Sequence, residues 1–254
     1  MSSGAGPGGV RAMRVTALVL CGGRGSRMGG VDKPLELFQG RPLVHHVLER
    51  IAPQVQGRVV ISANRHQAVY ERLGYPVLAD SLSDFQGPLA GLLAGMTFLR
   101  TSQAHAGGTA AVGGDEWVLC VSGDSPWLPV DLLQRLAAAL GVGSSAMLGS
   151  GAWGGHALSG SPASGGARDT SSDSAMAWGR EAPGAPLRSQ PLASLIHTRH
   201  LPALSDALAR GERRVEAWLR TLPLAEVPFD RPQDDHAFAN INDRSQLERP
   251  HPAP

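Results

Sequence analysis

The chain has 254 residues, room for one large domain or two small ones, and Gly (32) and Pro (19) make up about a fifth of it. No Gly-X-Y period appears, which excludes collagen. Twenty-three basic residues nearly balance twenty-two acidic ones, for a net charge of +1, so the chain lacks the basic excess of a protein that coats nucleic acid or an anionic membrane, and any anion site must be local. The longest apolar run, Val15 to Cys21, is seven residues, far short of the roughly 20 needed to span a bilayer. Met1 to Val10 has no apolar core of the kind a secretory signal needs. The two cysteines, Cys21 and Cys120, both sit in apolar segments, which leaves no disulfide framework or zinc cluster. The expected setting is soluble, reduced and cytoplasmic.

Residues 1–14 are rich in Gly and Ser and are read as a disordered leader. Val15-Thr-Ala-Leu-Val-Leu-Cys21 then runs apolar into glycines, as a strand buried on both faces of a parallel sheet does. Arg58 to Ser62, Pro76 to Asp80 and Trp117 to Ser122 repeat the pattern. Helical periods lie between them. Leu43, Val47, Ile51 and Val55 share one face, and Leu89, Leu92, Leu93, Met96 and Leu99 another; Pro42 and Pro88 stand where these helices would open. Strands alternating with helices predict an α/β fold, Rossmann-like, with an open, mostly parallel sheet covered by helices. Ligands of such sheets bind beyond the C-terminal strand ends, here Cys21-Gly-Gly23, Ser62-Ala-Asn64, Asp80 and Gly123-Asp124.

Two stretches interrupt this rhythm. Ala104 to Asp115 is polar and rich in Gly and Ala. Between Gly151 and Pro186, eight Gly, eight Ala, six Ser and three Pro leave little surface to offset ordering entropy. Residues 151–186, Trp153 and Trp178 included, are therefore expected to be a disordered surface insertion. Periodic structure resumes after it with a strand from Pro191 to His197, helices over Leu201 to Arg210 and Glu212 to Leu222, and a strand from Leu224 to Phe229. The expected organisation is one domain over residues 15–249, with a loose tail at 250–254.

Cys21-Gly-Gly-Arg-Gly-Ser-Arg-Met-Gly-Gly-Val-Asp-Lys33 follows the first strand directly. Its glycines allow left-handed turns and let backbone N–H groups converge on an anion, while Arg24, Arg27 and Lys33 add local positive charge. That combination suits a polyphosphate. The two familiar phosphate loops do not fit: Lys33 lies between Asp32 and Pro34 rather than in Gly-Lys-Ser/Thr, and a dinucleotide fingerprint would need glycine where Met28 stands. Asp80 and Asp124 each end an apolar strand at the same edge, where a carboxylate can hold Mg²⁺ against phosphate oxygens. An Asp after a strand can instead cap the next helix, but Asp131 and Ser125 are available for that role near the helix expected from Pro129. His197 and His200 are three apart, without a recognisable third ligand.

The glycine loop with Arg27-Met-Gly-Gly-Val-Asp-Lys33 resembles the molybdenum cofactor guanylyltransferase family. The resemblance continues through Asn64-Arg-His-Gln67, Asp80-Ser-Leu82, Gly87-Pro-Leu-Ala-Gly91, Asp124-Ser-Pro126, Gly211-Glu-Arg-Arg-Val215 and Phe238-Ala-Asn-Ile-Asn242. It implies an Mg²⁺-dependent nucleotidyltransferase that moves GMP from GTP to the terminal phosphate of Mo-molybdopterin. Leu20, Cys21 and Gly22 would line the nucleotide through their backbone, Lys33 and Arg27 would meet phosphate, and Ser62 and Asp80 would contact the nucleotide. Asp124 would contact nucleotide and Mg²⁺, and Asn240 and Asn242 would face the pterin. Cys21 replaces the family's usual Ala, Gly123 and Ser125 alter the usual Cys-Asp-Thr-Pro around Asp124, Ser62 stands where Asn is usual, and Gln190-Pro191 takes the place of a His-Pro pair. The expected partners are GTP and Mo-molybdopterin as substrates and molybdoenzymes or their chaperones as recipients, with no nucleic acid or membrane and a monomeric state. The alternatives are a cytidylyl- or sugar-phosphate transferase on the same loop, and a non-catalytic nucleotide-binding protein that delivers cofactor.

Overall fold

The computed structural model describes residues 13–21, 31–79, 87–105, 116–142, 172–239 and 241. In chain order its elements are β1 (Arg14–Leu20), the short strands β2 (Leu37–Phe38) and β3 (Arg41–Pro42), α1 (Leu43–Ile51), β4 (Val59–Ser62), α2 (Gln67–Glu71), β5 (Val77–Leu78), α3 (Pro88–His105), β6 (Glu116–Ser122), α4 (Leu132–Ala139), β7 (Ser174–Gly179), β8 (Arg188–His197), α5 (Leu201–Ala209), α6 (Val215–Leu219) and β9 (Leu224–Phe229). β2 and β3 pair with each other, and the remaining seven strands form one sheet in the order β5-β4-β1-β6-β8-β7-β9. β5, β4, β1 and β6 are mutually parallel, β8 runs antiparallel to both β6 and β7, and β9 is parallel to β7. The expected α/β class with an open, mostly parallel sheet is observed, with β8 the reversed strand.

Alternate residues of each central strand enter opposite cores, which explains why these strands read as unbroken apolar runs. Val15, Ala17, Val19 and Cys21 of the β1 segment join Val47 and Ile51 of α1 and Leu132 and Leu136 of α4 on one face. Leu18 and Leu20 join Leu89, Leu92 and Met96 of α3, Leu204 of α5 and Trp218 of α6 on the other. Each fully buried Val, Leu, Ile or Met side chain among them contributes about 1.5–3 kcal/mol relative to exposure.

The expected disordered insertion over 151–186 is corrected at its C-terminal end. Residues 151–171 lie outside the described set, but Ser174-Ala-Met-Ala-Trp-Gly179, Trp178 included, is β7, an interior strand between β8 and β9. The composition that argued against order is the reason this strand fits. Ala175 and Ala177 face one core and Met176 the other, so small side chains occupy a sheet position covered on both sides. β8 also begins three residues before the expected Pro191, and its pairing with β7 slips between Met176 and Ala177, a bulge that accommodates a proline inside a strand.

Asp131 occupies the N-cap position of α4 but its side chain makes no capping hydrogen bond, its carboxylate instead accepting from Arg231 at 3.4 Å. The capping falls instead to Gln54, whose Oε1 accepts from Leu133 N at 2.8 Å while its Nε2 donates to Pro129 O at 2.9 Å. Beyond β9 the chain is clasped to α4. Arg135 donates to Asp234 Oδ2 at 2.8 Å and to Pro228 O at 2.7 Å, and its guanidinium lies 3.7 Å over the Phe229 ring.

Candidate active site at the strand ends

The parallel half of the sheet brings three strand ends level. Leu20 at the end of β1 stands in register with Ser62 of β4 on one side and Ser122 of β6 on the other. Cys21 N donates to Ser62 O at 2.8 Å and Gly123 N donates to Leu20 O at 3.0 Å, so the first residues past the strands remain tied together. Asp124 follows immediately. Its Oδ2 meets Lys33 Nζ at 2.7 Å, and its Oδ1 accepts from Ser122 Oγ at 2.5 Å. Both members of the ion pair keep about a fifth of their side-chain surface open, 23% for Lys33 and 19% for Asp124. Lys33 and Asp124, for which the resemblance implies phosphate and metal contacts, are therefore adjacent and reachable.

Two departures from the family pattern occupy the same place in space. A Cβ on Gly123 would fall 2.5 Å from Cys21 Sγ and 3.3 Å from Leu20 O. The thiol fills the slot that a side chain at position 123 would enter, so Cys21 and Gly123 compensate in volume. Burial pushes the Cys21 thiol well up, with the negative charges of Asp32 and Asp124 adding to the effect, and Cys120, also fully buried, is pushed up to about 12. Both stay protonated and unreactive near neutral pH.

Ser62 is buried, and a Cβ on Gly91 of α3 would lie 2.6 Å from its Oγ. The hydroxyl thus faces the first turns of α3, which comes this close because position 91 has no side chain. Gly22, Arg27, Asp80, Asn240 and Asn242 lie outside the described residues. The residue between the two asparagines, Ile241, is 2% exposed and clusters with Phe38 and Leu43, with Trp127 packed against them. Trp127 is three residues after Asp124, so the C-terminal motif is anchored beside the carboxylate loop. Gly179 assists this docking, since any Cβ there would meet the Phe238 ring at 2.3 Å. His197 and His200 do not form a metal pair: His197 Nδ1 accepts from Arg199 N, and His200 Nε2 lies 2.6 Å from Asp173 Oδ1.

Sequence reasoning missed Ser122, which holds one oxygen of Asp124, and it missed Tyr70, whose Oη donates to Asp32 Oδ1 at 2.9 Å. Ser122 was legible in principle as a hydroxyl two positions before a strand-end carboxylate; Tyr70 left no local signal. For a cation, Asp124 offers hard oxygen chemistry at the open edge, and the Lys33 ammonium shows that positive charge is accommodated against Oδ2. No group of three or more His, Cys, Asp or Glu side chains converges among the described residues. The donor set therefore fits Mg²⁺ bound through one carboxylate with substrate phosphates completing its shell.

The sequence matches the MobA-like NTP transferase domain over residues 17–227. A molybdenum cofactor guanylyltransferase of Ralstonia nicotianae is 38% identical over 234 residues, covering 92% of this chain and 94% of that protein. Another, from an Acidovorax species, is 38% identical over 238 residues, with 92% and 93% covered. Among solved structures, the molybdopterin-guanine dinucleotide biosynthesis protein A of Archaeoglobus fulgidus matches with a TM-score of 0.61 at 17% identity, covering 91% of this chain and 94% of that one. The 4-diphosphocytidyl-2C-methyl-D-erythritol synthase of Anaerococcus prevotii matches at 0.57 and 9% identity, covering 92% and 94%. At those identities the structures speak for the fold, while the sequence relatives carry the kinship: the chain belongs to the molybdenum cofactor guanylyltransferase family, built on the MobA-like NTP transferase domain.

Proposed function

We propose that this chain transfers GMP from GTP to the terminal phosphate of Mo-molybdopterin, producing the guanine dinucleotide form of the cofactor and pyrophosphate. The observation that carries the reading is the Lys33–Asp124 pair at the level strand ends, in a chain 38% identical to guanylyltransferases. The acceptor phosphate attacks the α-phosphorus of GTP, and the bond from that phosphorus to the bridging oxygen of the leaving pyrophosphate breaks. The attacking oxygen is already anionic near neutral pH, so no general base is needed. Catalysis here is alignment and charge neutralisation.

Lys33 and Arg27 balance the triphosphate, and the backbone of Leu20, Cys21 and Gly22 lines the nucleotide. In this reading Ser62 and Asp80 serve the nucleotide, and Asn240 and Asn242 the pterin. Ser122 fixes the rotation of the Asp124 carboxylate by donating to Oδ1, which leaves Oδ2 directed at Lys33. When bound, Mg²⁺ would have Asp124 as its protein ligand and would neutralise charge on the α-phosphate and the leaving group. The reading extends to a cytoplasmic monomer with one nucleotidyltransferase domain over 15–249 and with molybdoenzymes or their chaperones receiving the product. In the described residues no helix is long and apolar enough to cross a membrane.

The test is a turnover comparison of GTP, CTP and ATP with Mo-molybdopterin as acceptor and Mg²⁺ present. GTP should support dinucleotide formation and stoichiometric pyrophosphate release well above the other two. Preference for CTP would reassign the donor, and Mg²⁺-dependent GTP binding without turnover would make the chain a carrier.

A further inference from the structure

Lys33 reaches Asp124 from a weak platform. The segment that carries it is a single turn of 3-10 helix, Lys33–Leu35, preceded by Asp32 at an N-cap position that makes no capping hydrogen bond through its side chain. One such turn cannot by itself hold the base of a long, flexible side chain. Asp32 holds it from outside. Its backbone O accepts from Leu35 N at 2.9 Å, and its Oδ1 accepts from Tyr70 Oη at 2.9 Å.

Tyr70 is an anchor of an unusual kind. It lies on the five-residue helix α2 and is 0% exposed, part of the same buried core as Cys21, Val44 and Val47. Its hydroxyl therefore has a fixed position, and the Cys21 thiol at the end of β1 is within hydrogen-bonding reach of it. One phenol thus links the segment after β4, the end of β1 and the residue before Lys33. Burial pushes the Tyr70 hydroxyl far up, so it remains a donor at any working pH. Burial also raises the Asp32 carboxyl, and Tyr70's donation is the largest influence opposing that rise. Asp32 Oδ2 is buried without a hydrogen-bond partner. With Tyr70 Oη removed, this carboxylate would have to turn toward water, because a buried and unpaired charge is costly. Lys33, one peptide unit away, would move with it.

We propose that Tyr70 is a positioning residue for nucleotidyl transfer, acting through Asp32 to place Lys33 against the phosphates at Asp124. The proposal rests on the reading of Lys33 as a phosphate contact.

Equilibrium titration of the full chain with GTP and with GMP, both with Mg²⁺, tests it. Lys33→Ala should weaken GTP more than GMP, because the lost charge lies at phosphates that GMP lacks. Tyr70→Phe keeps the buried ring and deletes the hydroxyl, and it should reproduce part of that selectivity loss, about tenfold in the GTP-to-GMP affinity ratio, which corresponds to about 1.4 kcal/mol. Added to Lys33→Ala, Tyr70→Phe should change the ratio no further, since the two act through one group. Asp32→Asn retains an oxygen acceptor for Tyr70 and should keep most of the wild-type ratio, whereas Asp32→Ala should match Tyr70→Phe. A purely structural bond would lower the melting temperature of Tyr70→Phe and leave the ratio untouched; that result, with Lys33→Ala discriminating as expected, overturns the positioning role alone. Equal loss of both nucleotides in Lys33→Ala removes Lys33 from the phosphates, and the positioning role falls with it.

Discussion

Four strands on one side of the sheet, β5, β4, β1 and β6, run parallel and finish at one edge; the other three are reached through antiparallel β8. The parallel half gathers charge at its C-terminal edge, where Lys33, Asp124 and the Tyr70-held Asp32 come together. The other half uses its charges as fasteners. Asp173, just before β7, binds Arg199 and His200 at the opposite end of the sheet, and Arg135 ties α4 to Phe229 at the end of β9 and to Asp234 beyond it. Under the proposed function the difference teaches a division of labour: parallel strand ends present the part-exposed Lys33–Asp124 pair for chemistry, while the mixed half stations Phe238 and Ile241 beside them. Damage to each half should leave a different signature.

The largest effect is expected at Asp124. Asp124→Asn keeps the shape and the bond from Ser122 but replaces the carboxylate with a poor Mg²⁺ ligand and a weak partner for Lys33. The rate of transfer should fall by roughly 10²–10³, the usual result of losing one centred electrostatic contact, with circular dichroism and melting temperature close to wild type. Near-wild-type turnover at limiting Mg²⁺ would dissolve the distinction between a chemical half and a fastening half.

How much of this was legible follows the same division. Val15 to Cys21 and Trp117 to Ser122 announce themselves because a strand covered on both faces must be apolar at every position, and the two cores take alternate residues. β7 is covered on both faces too, with Ala175 and Ala177 in one core and Met176 in the other, but Ser, Ala and Gly make up most of its residues, and such residues read by composition as a loop. Lys33 and Asp124 were visible as strand-edge charges, and resemblance assigned them to one triphosphate; their contact is a product of the register between β1 and β6. Tyr70 and Asp32 were invisible as a pair because a hydrogen bond between a helix and a distant turn leaves no periodic trace. Gln54 escaped for the same reason, taking from Asp131 a capping role that local rules had assigned to the nearer residue.

A second effect, smaller and of the opposite kind, is expected in the mixed half. Arg135 and Asp234 are 12% and 4% exposed at their side chains, so Arg135→Ala leaves a carboxylate buried with the backbone N of Arg231 as its remaining partner. Breaking a pair this buried costs about 3 kcal/mol, a fall of about 6–12 °C in melting temperature for a chain of this size. GTP affinity by titration should stay near wild type, while transfer to Mo-molybdopterin should weaken as the segment bearing Asn240 and Asn242 loosens from its seat. Equal loss of GTP affinity would show that the clasp supports both halves.

The smallest effect concerns where the mixed half begins. Of the residues 151–171, fifteen of twenty-one are Gly, Ala, Ser or Pro, and a chain of that composition has little apolar surface with which to stabilise a core. Shortening a surface connection changes its closure entropy by only about 0.6 kcal/mol per halving. Replacing 151–171 with a short Gly-Ser connector should therefore move the melting temperature by no more than a few degrees and leave GTP affinity unchanged. Extending the same deletion to Pro186 removes β7, and with it the strand that joins β8 to β9 on the sheet, so that variant should lose cooperative unfolding or fail to accumulate as folded protein. Thermal melts of the two deletions side by side separate the cases. Matching melts would mean that β9 can dock without β7 and that the mixed half is a looser assembly than its register implies. A large loss in the shorter deletion would instead place essential packing upstream of Asp173. If stability and GTP affinity survive the shorter deletion but transfer does not, residues 151–171 belong to recognition of the acceptor, and the boundary between chemistry and fastening runs through the mixed half itself.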